Sequence, residues 1–245
     1  MYDQTRFLPM GDRALVMEFG NEITKEINAI IRQMTKIIES QVDGVVEVLP
    51  TYRSVTVFYR PEEIAYDALV TKLQSLKPVT GGEGIKRIRR IEIPTVYGGE
   101  YGPDLSHVAE HAKLSEEEVV RIHTGTDYLV YMLGFSPGFT YLGGLDERIA
   151  TPRLESPRLK IPAGSVGIAG SQTGMYPSES PGGWQLIGRT PLKLYDPEKE
   201  PPVFIQAGDY IRYVSISAAD YLTIEKQVND GTFQVKIEML EGGAR

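Results

Sequence analysis

Between Gly134 and Pro191 lie 11 of the chain's 25 glycines and 7 of its 16 prolines, in under a quarter of its length. Glycine is needed where the backbone takes positive φ or comes close to another group, and proline fixes φ and removes a donor. A stretch this dense in both cannot be helix. Its apolar residues Ile161, Val166, Ile168, Leu186 and Ile187 exclude a disordered linker. Short strands joined by tight turns are what is left, with a rigid concave surface as the result. The only tryptophan, Trp184, and the arginines Arg153, Arg158 and Arg189 fall in the same stretch. It is read as the functional surface.

The flanking sequence supplies the scaffold. Residues 13–19 (RALVMEF) alternate as a strand does. Asn21 is expected to cap a helix whose isoleucines at 23, 27, 30, 31, 37 and 38 and Met34 follow the 3.6-residue period. VVEVLP and SVTVFY suit adjacent strands, and Pro61 is placed to open a second helix that Pro78 closes. The order β-α-β-β-α resembles a ferredoxin-like unit, and residues 87–96 could supply a last strand either to this unit or to the next domain. Residues 79–85 (VTGGEGI) read as a linker, and KRIRR at 86–90 as the solvated face of a strand. Two short helices follow. Asp104 is placed to cap the first, and Ser115 with Glu118 forms a capping box for the second. After the glycine-rich stretch, PLKLYD, PVFIQAGDYIRYVSI and TFQVKIEM are β-like, with one helix begun by Ser217. A mainly β second half favours a closed or nearly closed barrel, which leaves few free edges.

Composition narrows the function classes. At 245 residues, 41% apolar and 24% charged, the chain has the make-up of a soluble globular protein of one large or two modest domains. A net charge of −7 argues against general nucleic-acid binding. The absence of cysteine removes disulfides, thiolate metal sites and a cysteine nucleophile. No apolar run approaches the roughly 20 residues that span a bilayer, and the first residues lack the apolar core of a signal peptide. A cytoplasmic protein without nucleic-acid or membrane partners is expected.

Several motifs carry competing readings. HVAEH at 107–111 matches an inverted zincin pattern but lacks an evident third ligand, so a polar helix face accounts for it better and no metal is expected. Ser165 in AGSVG approaches a nucleophile elbow, yet IAGSQTG after it cannot start the helix an elbow needs. The glycines at 164, 167 and 170 are neither a dinucleotide fingerprint nor a Walker loop. Thr151-Pro152-Arg153 and Ser156-Pro157-Arg158 repeat one pattern, holding two guanidinium forks on stiffened backbone. Such forks match carboxylate or phosphate, or else pair with Glu155 or Glu179. Arg189 is open to the same two readings. Trp184 is core filler or pocket wall, and Phe135, Phe139 and Tyr141 form a cavity wall, a docking surface or plain core.

Three segments resemble the signature of one bacterial family: GFSPGFTYLGGL (134–145), PRLESPRLKIPAGSVGIAGSQTGMYP (152–177) and SPGGWQLIGRTPL (180–192). It comprises the B subunit of ATP-dependent 5-oxoprolinase, also described as allophanate hydrolase subunit 1 and as the Kip-type inhibitor of the sporulation histidine kinase A. The resemblance implies an α+β chain with a ferredoxin-like domain over 1–84 and a cyclophilin-like β-barrel over 85–245. It implies a hydrolase subunit in a hetero-oligomer with the A and C subunits, converting 5-oxo-L-proline, ATP and water to glutamate, ADP and phosphate, and inactive alone. ATP enters as co-substrate, at a site shared with a partner. The Ser-Ser-Lys amidase signature is absent. Under this reading Arg153, Arg158 and Arg189 clamp phosphate or the substrate carboxylate, Gln172 and Tyr176 orient the ring amide, and glycine main-chain amides add donors. Phe135, Pro137, Gly138, Phe139, Ser165, Pro181, Gly182, Gly183 and Trp184 form the substrate pocket or a partner surface. The alternative function is inhibition of histidine kinase A autophosphorylation, by docking on its dimerisation and phosphotransfer helices through the aromatics at 135 and 139.

Overall fold

Thr24, not Asn21, starts the first long helix. Its hydroxyl accepts a hydrogen bond from the Ile27 N–H, while the Asn21 side-chain carbonyl is already engaged by the Tyr2 hydroxyl. In the computed structural model, which describes residues 1–78 and 87–241, this helix (α1, Lys25–Gln41) packs on a sheet of four strands. They are β1 (Arg6–Pro9), β2 (Ala14–Glu18), β3 (Val45–Pro50) and β4 (Ser54–Tyr59), in the antiparallel order β1-β2-β4-β3. Ile27, Ile31, Met34 and Ile38 on one stripe of α1 meet Leu15, Met17, Val55 and Val57, which is the pairing the isoleucine period demands. The second helix (α2, Tyr66–Ser75) begins later than Pro61, whose neighbourhood is a turn in which the Glu63 and Ile64 N–H groups both reach the Arg60 carbonyl. Strand β1 has too few residues and too late a proline to show in the sequence pattern. It takes the sheet edge that residues 87–96 were expected to compete for.

The chain divides into two compact units, Met1–Ile85 and Lys86–Arg245. The stretch 79–85 read as a linker lies outside the described residues. The second unit is organised on one long strand, β5 (Arg87–Tyr97). Helices α3 (Leu105–Ala112) and α4 (Glu116–Thr124) follow, then β6 (Asp127–Leu133), β7 (Thr140–Gly143), a 3₁₀ turn at Glu147–Ile149, and β8 (Arg158–Ile161). Next come β9 (Ser165–Ala169), β10 (Gln172–Met175), β11 (Ser180–Gly182), β12 (Gln185–Arg189), β13 (Tyr210–Ser215), α5 (Ala218–Asn229) and β14 (Ile237–Glu241). The order β10-β9-β12-β5-β13-β6-β7 curls until its end strands β10 and β7 lie against one another, giving a nearly closed barrel. β14 pairs with the start of β5, and β8 with β11 forms a separate two-stranded ribbon.

The capping box expected at Ser115–Glu118 is present, and Ser217, expected to begin a helix, forms a second one with Asp220. Two other expectations fail for clear reasons. PLKLYD and PVFIQ are not strands; prolines at 191, 197, 201 and 202 interrupt any ladder, and Leu192, Leu194 and Ile205 are instead buried as loop anchors of the core. Arg89 and Arg90 of KRIRR do not face open water. Arg89 donates to the Phe204 carbonyl and pairs with Asp209, and Arg90 pairs with Glu238 and Asp127.

Candidate functional site

The glycine-rich stretch builds one wall of the barrel, and its residues alternate between two faces as strand geometry requires. On β10, Thr173 and Met175 are buried in the barrel core, while Gln172, and Tyr176 just past the strand's end, face the other way. On β9, Val166 and Ile168 point into the core and Gly167 faces out between them. Those outward glycines leave room for an indole. A Cβ on Gly174 would meet Trp184 Cζ3 at 3.1 Å, and one on Gly182 would meet the Tyr176 hydroxyl at 2.4 Å. Three of the eleven glycines, Gly167, Gly174 and Gly182, thus make room for Trp184 and Tyr176, while Gly138, Gly144, Gly164 and Gly170 take positive φ at turns.

On this outer face Phe139, Tyr176 and Trp184 form a small cluster of edge-to-face rings, joined by Tyr141, with centroids 5.2–6.1 Å apart. The cluster floors a hollow of about 250 Å³, lined by Phe135, Phe139, Tyr141, Arg153, Gln172, Tyr176 and the Pro181–Trp184 turn. Phe135 stands on the rim. It is 74% exposed, has a φ of 67° and touches Phe139 ring-to-ring at 5.5 Å. A left-handed conformation costs an L residue about 1–2 kcal/mol, so the rim position is imposed by its surroundings. The Gly134 N–H to Phe139 carbonyl and Phe139 N–H to Ser136 carbonyl bonds close the loop.

Arg153 is the cation of the hollow. Its guanidinium carbon lies 5.9 Å from the Trp184 ring centroid, at the outer reach of a cation–π contact. The backbone on both sides is pinned: Gln185 Nε2 donates to the Pro152 carbonyl at 2.9 Å, and the Leu154 N–H donates to the Gly183 carbonyl at 2.7 Å. Burial raises the pKa of the Tyr176 hydroxyl. A main-chain hydrogen bond from Trp184 and the positive charges of Arg153 and Arg158 oppose that rise.

The three arginines do not converge as equals. Arg158 Nη2 donates to Asp104 Oδ1 at 2.7 Å, and its other nitrogen reaches the Trp184 carbonyl at 3.4 Å. Its carboxylate partner is thus neither Glu155 nor Glu179; the latter pairs with Lys160. Arg189 donates to the Ala163 carbonyl at 2.9 Å and does not line the hollow. Ser165 is buried in β9, where its carbonyl accepts from the Tyr176 N–H. Pro137 and Gly138 line a shallow adjoining depression with Leu133 and Val203. The expected glycine main-chain donors are mostly spent: Gly164 N–H goes to the Tyr176 carbonyl, Gly170 N–H to Thr151, and Gly167 faces Gly174 inside the β9–β10 ladder.

Sequence reasoning missed Asp104. Expected to cap α3, it makes no side-chain cap bond. Instead its second oxygen accepts from the Leu186 N–H at 2.6 Å, so one carboxylate ties Arg158 to the start of β12. Nothing in the local sequence could have revealed a partner 54 positions away. His107 and His111 are exposed on α3, and no group of side chains able to hold a metal occurs among the described residues. No helix there is long and apolar enough to cross a membrane. A larger hollow, about 560 Å³, lies in the first unit among Tyr2, Phe19, Ile30, Met34 and Leu76, but no basic side chain among the described residues lines it.

The chain has counterparts among known proteins in both sequence and fold. Residues 5–205 match the family described as carboxyltransferase domain, subdomain C and D, and the chain belongs to that family. It is 46% identical over 233 residues to the B subunit of 5-oxoprolinase from Bacillus subtilis, spanning 90% of this chain and 96% of that protein. With the corresponding 5-oxoprolinase protein of Escherichia coli O157:H7 it shares 45% over 215 residues, 84% of this chain and 93% of that one. The fold also matches the K. lactis urea amidolyase structure with a TM-score of 0.77, over 96% of this chain and 16% of that chain; at 20% identity the likeness is one of fold.

Proposed function

We propose that this chain is the B subunit of an ATP-dependent 5-oxoprolinase. The observation that carries the reading is 40–46% identity, over most of the chain, to three bacterial proteins that bear that 5-oxoprolinase name. The first unit is taken as a ferredoxin-like domain over 1–84, with β1 standing where such a domain's last strand would, and the second as a cyclophilin-like barrel over 85–245. The chemistry is opening of a cyclic amide. Transfer of the γ-phosphoryl group of ATP to the amide oxygen releases ADP and makes the carbonyl carbon electrophilic. Water adds there, the C–N bond breaks to free the amine, and a second water releases phosphate and leaves glutamate. The contribution of this chain is the hollow, with Arg153, Gln172 and Tyr176 presented on a rigid wall, which serves positioning and charge stabilisation. Partner A and C subunits complete the site, so the chain alone is inactive, in a cytoplasmic assembly with ATP as co-substrate.

The test is co-expression with the A and C subunits and an assay of 5-oxoproline-dependent ADP release. Release by the assembly and none by any single component is expected; turnover by this chain alone contradicts the shared site. One observation favours the kinase-inhibitor reading as a second role: the exposed, left-handed Phe135 on the rim. Phe139 is buried, so of the two aromatics only Phe135 offers area to a helix. Unchanged capture of histidine kinase A by a Phe135→Ala variant would remove this role.

A further inference from the structure

Among the described residues the hollow has one cation to offer. Arg158 is committed to Asp104, Lys160 to Glu179 and Arg189 to the Ala163 carbonyl. Arg153 has no carboxylate within ion-pair distance among the described residues, and its backbone is held by Pro152 and Leu154 on either side. A guanidinium fork carried on a pinned backbone and lacking an acid partner is suited to a bidentate carboxylate. The remaining surface is aromatic: Trp184 beneath the guanidinium, and Phe139, Tyr141 and Tyr176 around it. At about 250 Å³ the hollow is smaller than the roughly 300–1,000 Å³ of sites that engulf drug-sized ligands, the size class of a nucleotide. A triphosphate also needs several cations, a metal or a run of main-chain donors. Here the other basic side chains are paired, and the N–H groups of Gly164 and Gly170 are spent within the fold. A small flat ring carrying a single carboxylate matches the shape, the one charge and the aromatic walls together.

We propose that Arg153 receives the carboxylate of the cyclic amide acid, its ring resting against Trp184 and Tyr141, so that this chain carries the organic substrate and the nucleotide is held by a partner chain. The inference rests on the function proposed above and assigns its site. Asp104 is a positioning residue: through Arg158 it holds the Trp184 main chain, and with it the indole and the Tyr176 hydroxyl.

The experiment has two arms. In the reconstituted assembly, Arg153→Gln should raise the KM for 5-oxo-L-proline about 10–100-fold, the worth of a lost charge-assisted hydrogen bond, and leave the KM for ATP within about twofold. Arg153→Lys should recover part of the loss. A rise confined to the ATP KM, or no change in either, overturns the assignment. In the second arm the single tryptophan of the purified chain is the probe. Its emission should respond saturably to 5-oxo-L-proline, and neither to 2-pyrrolidinone, which lacks the carboxylate, nor to ADP. An equal response to 2-pyrrolidinone overturns the carboxylate anchor, a response to ADP overturns the division of ligands, and no response to any probe overturns the site. If the assembly turns over nothing while the tryptophan responds as expected, the proposed function falls and the binding assignment stands.

Discussion

The barrel holds two aromatic clusters back to back, separated by one strand. Thr173 on β10 faces inward to His123, which also meets Tyr97, Tyr128 and Tyr213. Gln172 and Tyr176 face outward to Trp184, Phe139 and Arg153. The inner cluster is sealed. Thr173 Oγ1 donates to the Gly167 carbonyl at 3.0 Å, so it must accept from His123 Nε2–H at 2.8 Å. Nδ1 is then left to accept from the Tyr97 hydroxyl at 2.8 Å. Burial lowers the His123 pKa to about 3, keeping the ring neutral. The outer cluster is open and keeps a cation with no acid partner. Aromatic content does not separate a site from a core; what does here is access from solvent and a cation that no acid among the described residues neutralises.

The largest expected effect belongs to the sealed side. An unfolded histidine takes up a proton below about pH 6.5, whereas folded His123 resists until about pH 3, so stability should fall as pH drops through that window. From pH 6.5 to 4 this amounts to about 3 kcal/mol, read from urea midpoints and expected to shrink in His123→Asn. An equal pH slope in wild type and variant would break the comparison.

Next comes the floor of the open side. Gly174→Val places a side chain where Trp184 Cζ3 and Cη2 now lie, and should cost about 1–3 kcal/mol of overpacking. The displaced indole should emit at longer wavelength, and unchanged emission would contradict the packing role assigned to this glycine. The neighbours on β10 then sharpen the contrast. Thr173→Val leaves His123 Nε2–H unpaired and should cost about 1–3 kcal/mol with ligand response at Trp184 retained. Gln172→Ala should change stability by about 0.5 kcal/mol or less and weaken that response. Reversal of the two outcomes would mean that the faces are misassigned. Last is Phe135→Gly, where relief of the left-handed backbone and loss of the ring contact offset to within about 1 kcal/mol. A larger fall in melting temperature would place Phe135 in the packed wall and not on its rim.

Much of this was written in the sequence, and the rest was hidden by distance. The Gly/Pro density correctly excluded α-helix between 134 and 191, where a three-residue 3₁₀ turn at Glu147–Ile149 is the helical element, because it acts through local backbone freedom. The isoleucine period found α1 for a similar reason, although the cap moved to Thr24 once Tyr2 engaged Asn21. Nine of the fourteen proposed site positions, Phe135, Phe139, Arg153, Gln172, Tyr176, Pro181, Gly182, Gly183 and Trp184, line one hollow. The division of labour among the arginines was not legible, since it depends on Asp104 reaching Arg158 across the fold. Nor was the edge strand β1, whose four residues end in proline.

The central claim is that the outer face of β10, with Trp184 as its floor, is where ligand binds. With the indole nitrogen labelled in this chain alone and the chain assembled with its partners, the one indole resonance should shift on addition of 5-oxo-L-proline, and the shift should vanish in Arg153→Gln. An indole resonance that stays in place while the assembly turns over substrate would contradict it.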